Sequence, residues 1–85
     1  MKKMYKYKLE DVQKQVIKGL QGRIKFFGLD IATGEPTVWC EHDSEFIPYD
    51  LTVFILGTGE AVPKEAIGKY IGTTFMGVCV YHLFI

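Results

Sequence analysis

The sequence predicts an all-β fold, a small antiparallel β-sandwich or barrel of six to seven short strands with room for one short helix. Three observations carry this expectation. Runs rich in β-branched and aromatic side chains recur along the whole chain, and Gly- or Pro-containing turns separate them at short intervals. Only one stretch, residues 9–20, has apolar residues at helical spacing. With 85 residues the chain has room for one domain, residues 1–85.

The elements follow in order. Tyr5, Tyr7 and Leu9 alternate with Lys6 and Lys8, the period-2 pattern of a half-buried strand. In the next stretch Leu9, Val12, Val16, Ile17 and Leu20 fall at helical spacing, with Glu10-Asp11 placed as at a helix start and Lys14 and Lys18 toward its end. Gln15-Val16-Ile17 reads equally as a short strand, and periodicity alone leans to the helix. Arg23 to Ile31 is rich in β-formers, Ala32-Thr33-Gly34 makes a turn, and Glu35 to His42 returns as the second arm of a hairpin. Pro36 stands near the start of that arm, where a missing N–H does least harm.

Cys40 to Tyr49 then becomes acidic and turn-prone. Asp50 to Leu56 is a strand apolar on both faces, with Leu51, Val53 and Ile55 on one and Phe54 and Leu56 on the other. Gly57-Thr58-Gly59-Glu60 ends it, and Val62-Pro63-Lys64-Glu65 forms a connection with space for one helical turn. Tyr70 to Phe75 and Gly77 to Phe84 read as a final strand pair. The last strand is also apolar on both sides, so it needs cover on both sides. A domain this small has little spare structure to supply it. The expectation is therefore a homo-oligomer, with a closed monomeric barrel as the alternative.

Composition excludes several classes. The chain is 48% hydrophobic and 24% charged, which is incompatible with a disordered segment. No apolar run reaches the roughly 18 residues that span a bilayer. Lys2, Lys3 and Lys6 precede no apolar h-region, so a secretory signal is not expected. Two cysteines are too few for a disulfide framework, and together these features point to a cytoplasmic setting.

The net charge of zero hides an asymmetry. Residues 1–25 carry eight basic side chains against Glu10 and Asp11, or +6, whereas residues 26–60 carry seven acids and no Lys or Arg, or −7. Either the basic block forms a cationic face for a phosphate-bearing partner, or basic strands lie beside acidic ones and pair across a sheet. The lack of a positive excess argues against a DNA or RNA duplex as partner.

Candidate chemistry is sparse. Gly57-Thr58-Gly59 follows a strand and, with Lys64 nearby, could form an anion-binding nest, but it lacks the third glycine of a dinucleotide fingerprint and the Lys-Ser/Thr of a P-loop. Cys40, His42, Cys79 and His82 have the composition of a zinc site without its knuckle spacing, so no metal is expected. Ser44 lacks a nucleophile elbow, and Glu41, Asp43 and Glu45 read as a solvated acidic loop. No enzyme and no cofactor are expected. Trp39, Tyr49, Tyr70 and Tyr81 are either core or stacking faces for a planar ligand.

Taken together, Tyr5-Lys6-Tyr7, Gly28-Leu29 followed by Trp39, Gly57-Thr58-Gly59 with Pro63, Tyr70-Ile71-Gly72-Thr73 and Val80-Tyr81-His82-Leu83-Phe84 resemble a family of small phage- and prophage-encoded proteins known chiefly as a domain of unknown function. Lys8 and Tyr81 depart from its pattern. The resemblance covers nearly the whole chain, favours strand over helix for residues 13–18, and implies a viral origin in the host cytoplasm. Many compact phage proteins without chemistry counter host defence. The functional expectation is therefore a protein that sequesters a small phosphate-bearing immune signalling nucleotide. Lys6, Arg23 and Lys25 would meet phosphates, Trp39 and Tyr70 a base, and Thr58, Thr73 and His82 would donate hydrogen bonds. The alternatives are an inhibitor that docks on a host defence protein through Glu41 to Glu45, and a phage structural or assembly accessory.

Overall fold

A computed structural model describes residues 2–66 and 69–85, apart from the side chain of Met76. Among them are seven strands: β1 (Lys2–Lys8), β2 (Lys14–Leu20), β3 (Gly22–Asp30), β4 (Glu35–Asp43), β5 (Tyr49–Gly57), β6 (Tyr70–Met76) and β7 (Cys79–Phe84). They form two antiparallel sheets, one ordered β1-β4-β3 and the other β2-β5-β7-β6. The two sheets are not joined into a closed barrel, and the architecture is a small β-sandwich. No helix occurs among the described residues. Of the two readings of residues 9–20, the strand favoured by the resemblance for residues 13–18 is the one that forms, as β2, and the helical spacing does not produce a helix. The connection near Pro63, with space for one helical turn, is instead a turn closed by the Ala66 N–H donating to the Pro63 carbonyl at 3.1 Å.

The reason lies in a bulge. Strand β2 slips register against β5 between Ile17 and Leu20, at Gly19. The extra residue lets Ile17 and Leu20, three apart, both face inward and become buried. A strand with one residue inserted thus imitates helical period. Val12 and Val16, which a helix would have buried, are about half exposed.

The interior is built from Leu9, Ile17, Leu20, Phe27, Val38, Cys40, Val53, Ile55 and Leu83, contributed by both sheets. Strand β5 is covered on both faces, as its sequence requires. Val53 and Ile55 face the core, while Phe54 and Leu56 on the opposite face are also buried. Residues 58–66 fold back toward that opposite face. Glu65 reaches Lys14, the neighbour of Phe54, at 3.6 Å, Glu60 accepts from Gln13 at 3.3 Å, and Ala66 is buried. On β7, Leu83 is buried inside and Phe84 is half-buried against the edge of Tyr70, with ring centres 5.6 Å apart. Phe75 and Val78, at the β6–β7 hairpin, stay exposed.

The charge asymmetry is largely consumed within the fold. Lys2, Lys6 and Lys8 of β1 pair with Glu41, Asp30 and Glu35, Lys14 with Glu65, and Lys18 with Asp50. The tightest is Lys6 Nζ to Asp30 Oδ2 at 2.7 Å, where the carboxylate is only 12% exposed. Asp30 also accepts the Ala32 N–H at 3.0 Å, so it both anchors β1 and shapes the β3–β4 turn.

Two carboxyls are held below the usual range, Asp30 chiefly by the Lys6 hydrogen bond and Asp50 chiefly by the Gly19 N–H. A carboxyl harder to protonate folded than unfolded stabilises the fold fully above its unfolded pKa and loses that contribution as pH falls through the folded value. Denaturant midpoints should therefore drop on acidification below about pH 4. Asp30→Asn should lower the neutral midpoint and flatten that acid limb; an unchanged acid limb would refute the assignment.

Candidate ligand-binding cleft

Leaving β2, the chain turns from one sheet to the other in a single residue, Gln21. The Asp43 N–H donates to the Gln21 carbonyl at 2.9 Å, and the Gln21 amide donates to the Phe46 carbonyl at 2.8 Å. This corner pins the β4–β5 loop against β3 and brings the Phe46 ring under the Arg23 guanidinium, 5.4 Å from its centre. The Tyr49 hydroxyl donates to the Gly22 carbonyl at 2.9 Å and fixes the start of β5 to the same corner.

A cleft of about 390 Å³ opens beside this corner, between β3 of one sheet and β5 and β6 of the other. Its cationic groups are Arg23, Lys25 and Lys69. Its remaining walls are Phe46 and Tyr49 with aliphatic side chains that include Ile24, Leu51 and Ile71. Two bulges stand at it. Strand β3 gains a residue at Lys25, and β6 gains one at Ile71. Bulges break a ladder locally and re-aim side chains, and here the two re-aimed residues line one hollow. Five basic residues make no ion pair among the described residues, namely Lys3, Arg23, Lys25, Lys64 and Lys69, and three of them lie here. Among the residues lining the cleft there is no Asp or Glu.

The sequence-selected residues fall into three places. Arg23 and Lys25 line the cleft. Lys6 is bound to Asp30, and Trp39, its register partner, packs against Phe26 with ring centres 5.4 Å apart on the solvent face of the three-stranded sheet. Thr58, Tyr70, Thr73 and His82 come together as a hydrogen-bonded string. The Thr58 and Thr73 hydroxyls meet His82 Nε2 and Nδ1, each at 2.8 Å, and Tyr70 bonds Thr73. Both ring nitrogens are therefore engaged within the string.

Of the two readings of Gly57-Thr58-Gly59, a turn at the strand exit or an anion nest, the turn is what forms, closed by the chain's own carboxylate. Glu60 Oε1 accepts the Gly57 N–H at 2.6 Å, while the Thr58 and Glu60 amides donate to Val80 and Gly57 carbonyls. The loop's acceptor is internal. Cys40 and His42 sit on β4 and Cys79 and His82 on β7, in different sheets. Cys40 is buried and burial pushes its thiol up to about 11, whereas Cys79 is exposed. In the acidic stretch, Glu41 faces Lys2 at 3.7 Å and Asp43 caps the Glu45 amide at 3.0 Å.

Sequence reasoning missed Phe46, Lys69 and Ile71 as cleft residues. Lys69 did carry a signal, being one of only two basic residues after residue 25. Nothing local marks Phe46 or Ile71.

Fold and cleft together define a small all-β sandwich protein with a cationic, aromatic-walled groove between strands of its two sheets. The chain belongs to the family described as a domain of unknown function (DUF7352), whose model matches residues 1–85. Comparison with curated proteins and with solved structures finds no match to this chain.

Proposed function

We propose that this chain is a non-enzymatic binding protein that takes up and withholds a small nucleotide-type signalling molecule, acting in phage counter-defence. One observation carries the reading: the fold neutralises half of its basic side chains internally, yet leaves Arg23, Lys25 and Lys69 together on one hollow without an acid among its lining residues. Guanidinium and ammonium groups supply charge-assisted bonds to phosphate, and the Phe46 and Tyr49 rings supply flat surfaces for a base. A volume of about 390 Å³ is in the range of small-ligand sites. Self-association belongs to the same reading and is supported by the exposed Phe75 and Val78 at the β6–β7 hairpin.

The test is mass spectrometry of small molecules released by heating the purified protein, followed by calorimetry against a panel of linear and cyclic nucleotides. Micromolar or tighter binding by at least one member is expected. Arg23→Ala or Lys69→Ala should weaken it by about 10- to 100-fold, the usual effect of losing a hydrogen bond to a charged group. Neither surface substitution should shift the thermal midpoint by more than a few degrees. No released compound and no heat from any nucleotide would overturn the proposal.

A further inference from the structure

A second hollow of about 260 Å³ adjoins the cleft, lined by Lys2, Arg23, Lys25, Glu41, Asp43 and Phe46. Three of these residues, Arg23, Lys25 and Phe46, also line the first. The two hollows therefore meet at a cationic waist, and they differ in what lies beyond it. The cleft beside the sheets offers Tyr49, Leu51 and Ile71, an aromatic and aliphatic bed. The second hollow lies over the solvent face of the three-stranded sheet, where Lys2 is across from Asp43 and Arg23 is across from Glu41 in register. It offers two carboxylates, which accept hydrogen bonds and repel a phosphate.

That division does not match a lone mononucleotide, which needs one base site and one phosphate site. It matches a phosphodiester with a nucleoside on each side. We infer that the groove takes a dinucleotide unit, with the bridging phosphate between Arg23 and Lys25, one base on the Tyr49 side, and the second nucleoside donating ribose hydroxyl or base amino hydrogens to Glu41 or Asp43. Carboxylates read an exocyclic amine in this way, as they do on cytosine. The Lys2 ammonium, 3.7 Å from Glu41, moderates the charge of that hollow without filling it. This inference rests on the cleft being a nucleotide site, and it names the class of nucleotide.

The experiment is a ladder of ligands on the full chain: adenosine monophosphate, a linear dinucleoside monophosphate, and the corresponding 3′,5′-cyclic dinucleotide, each titrated by calorimetry at two salt concentrations. The dinucleotides should bind at least about tenfold more tightly than the mononucleotide, the discrimination given by one good polar contact to a base. The linear and cyclic arms then decide which backbone the waist prefers. Asp43→Asn keeps an oxygen to cap Glu45, so the turn should survive; together with Glu41→Gln it should lower dinucleotide affinity and leave mononucleotide affinity unchanged or slightly higher. Equal affinity for mono- and dinucleotide, or a mononucleotide loss as large as the dinucleotide loss in the double variant, overturns the inference while leaving the cleft a nucleotide site. Absence of binding by every rung defeats both.

Discussion

Gly22→Ala is expected to abolish the folded state. Gly22 opens β3 directly after the one-residue corner at Gln21, with φ of 150°, a region that side-chain-bearing residues rarely enter. An added Cβ would lie 1.8 Å from the Glu41 carbonyl oxygen and 2.8 Å from its carbon. Both are backbone atoms of β4, held by the β3–β4 ladder, so no side chain can swing aside. The corner could relax only by parting β3 from β4 or by releasing the Tyr49 hydroxyl from the Gly22 carbonyl. Native domains have only about 5–15 kcal/mol of stability, and a clash of this kind consumes most of it. Circular dichroism and amide dispersion should report an unfolded or aggregated chain. Gly34→Ala is the control: its φ is also positive, at 71°, but its Cβ would meet nothing within 4 Å. It should cost only about 1–2 kcal/mol. A Gly22→Ala protein that melts within a few degrees of the parent would refute the account of the corner.

Phe27→Ala should be the most damaging of the simple core truncations. Phe27 is 1% exposed, sits on β3, and belongs to one buried cluster with Val53, Ile55 and Leu83 of the opposing sheet. It therefore helps hold two sheets that no hydrogen-bonded ladder joins among the described residues. Removing a buried ring costs about 3–5 kcal/mol, because the lost transfer energy adds to that of the cavity left behind. In a domain of this size each kcal/mol moves the thermal midpoint by about 4–8 °C, so a fall of more than 10 °C is expected. The neighbouring Phe26→Ala serves as comparison. Phe26 is 59% exposed on the solvent face beside Trp39, and its loss should cost about 1 kcal/mol or less. Similar melting shifts for the two would mean that Phe27 does not bridge the sheets as described.

Much of the fold was legible one residue at a time. The hairpin expected from Arg23 to His42 with its turn at residues 32–34 is β3 and β4, running from Gly22 to Asp43. The doubly apolar Asp50 to Leu56 is β5 and is indeed covered on both faces. These features depend on neighbours in sequence: alternation, β-branching and turn residues act over two to four positions. The ambiguity at residues 9–20 came from the same locality. A spacing of three between inward residues is what a helix gives and also what a bulged strand gives, and residues 17 to 20 alone do not say which. Ile24 and Phe27 of β3 repeat the pattern, with Lys25 as the inserted residue. There the surrounding β-formers settled the matter in favour of strand.

The candidate site was legible in kind more than in place. Arg23 and Lys25 stood out as basic residues in a β-rich run, but so did Lys6, and nothing along the chain separates them. What separates them is a partner 24 residues away: Asp30 takes Lys6, whereas no acid lies within ion-pair distance of Arg23 or Lys25 among the described residues. Glu60 likewise turns the glycine loop from a prospective phosphate cradle into a closed turn.

The sequence by itself determined that this is a helix-poor, strand-built chain with its basic and acidic groups in separate blocks, because such properties are fixed by local pattern and composition. Only the tertiary structure decided which charges cancel, since pairing depends on register between strands far apart in sequence. It also decided where a hollow opens, because that requires two bulges on different sheets, at Lys25 and Ile71, to come to the same gap.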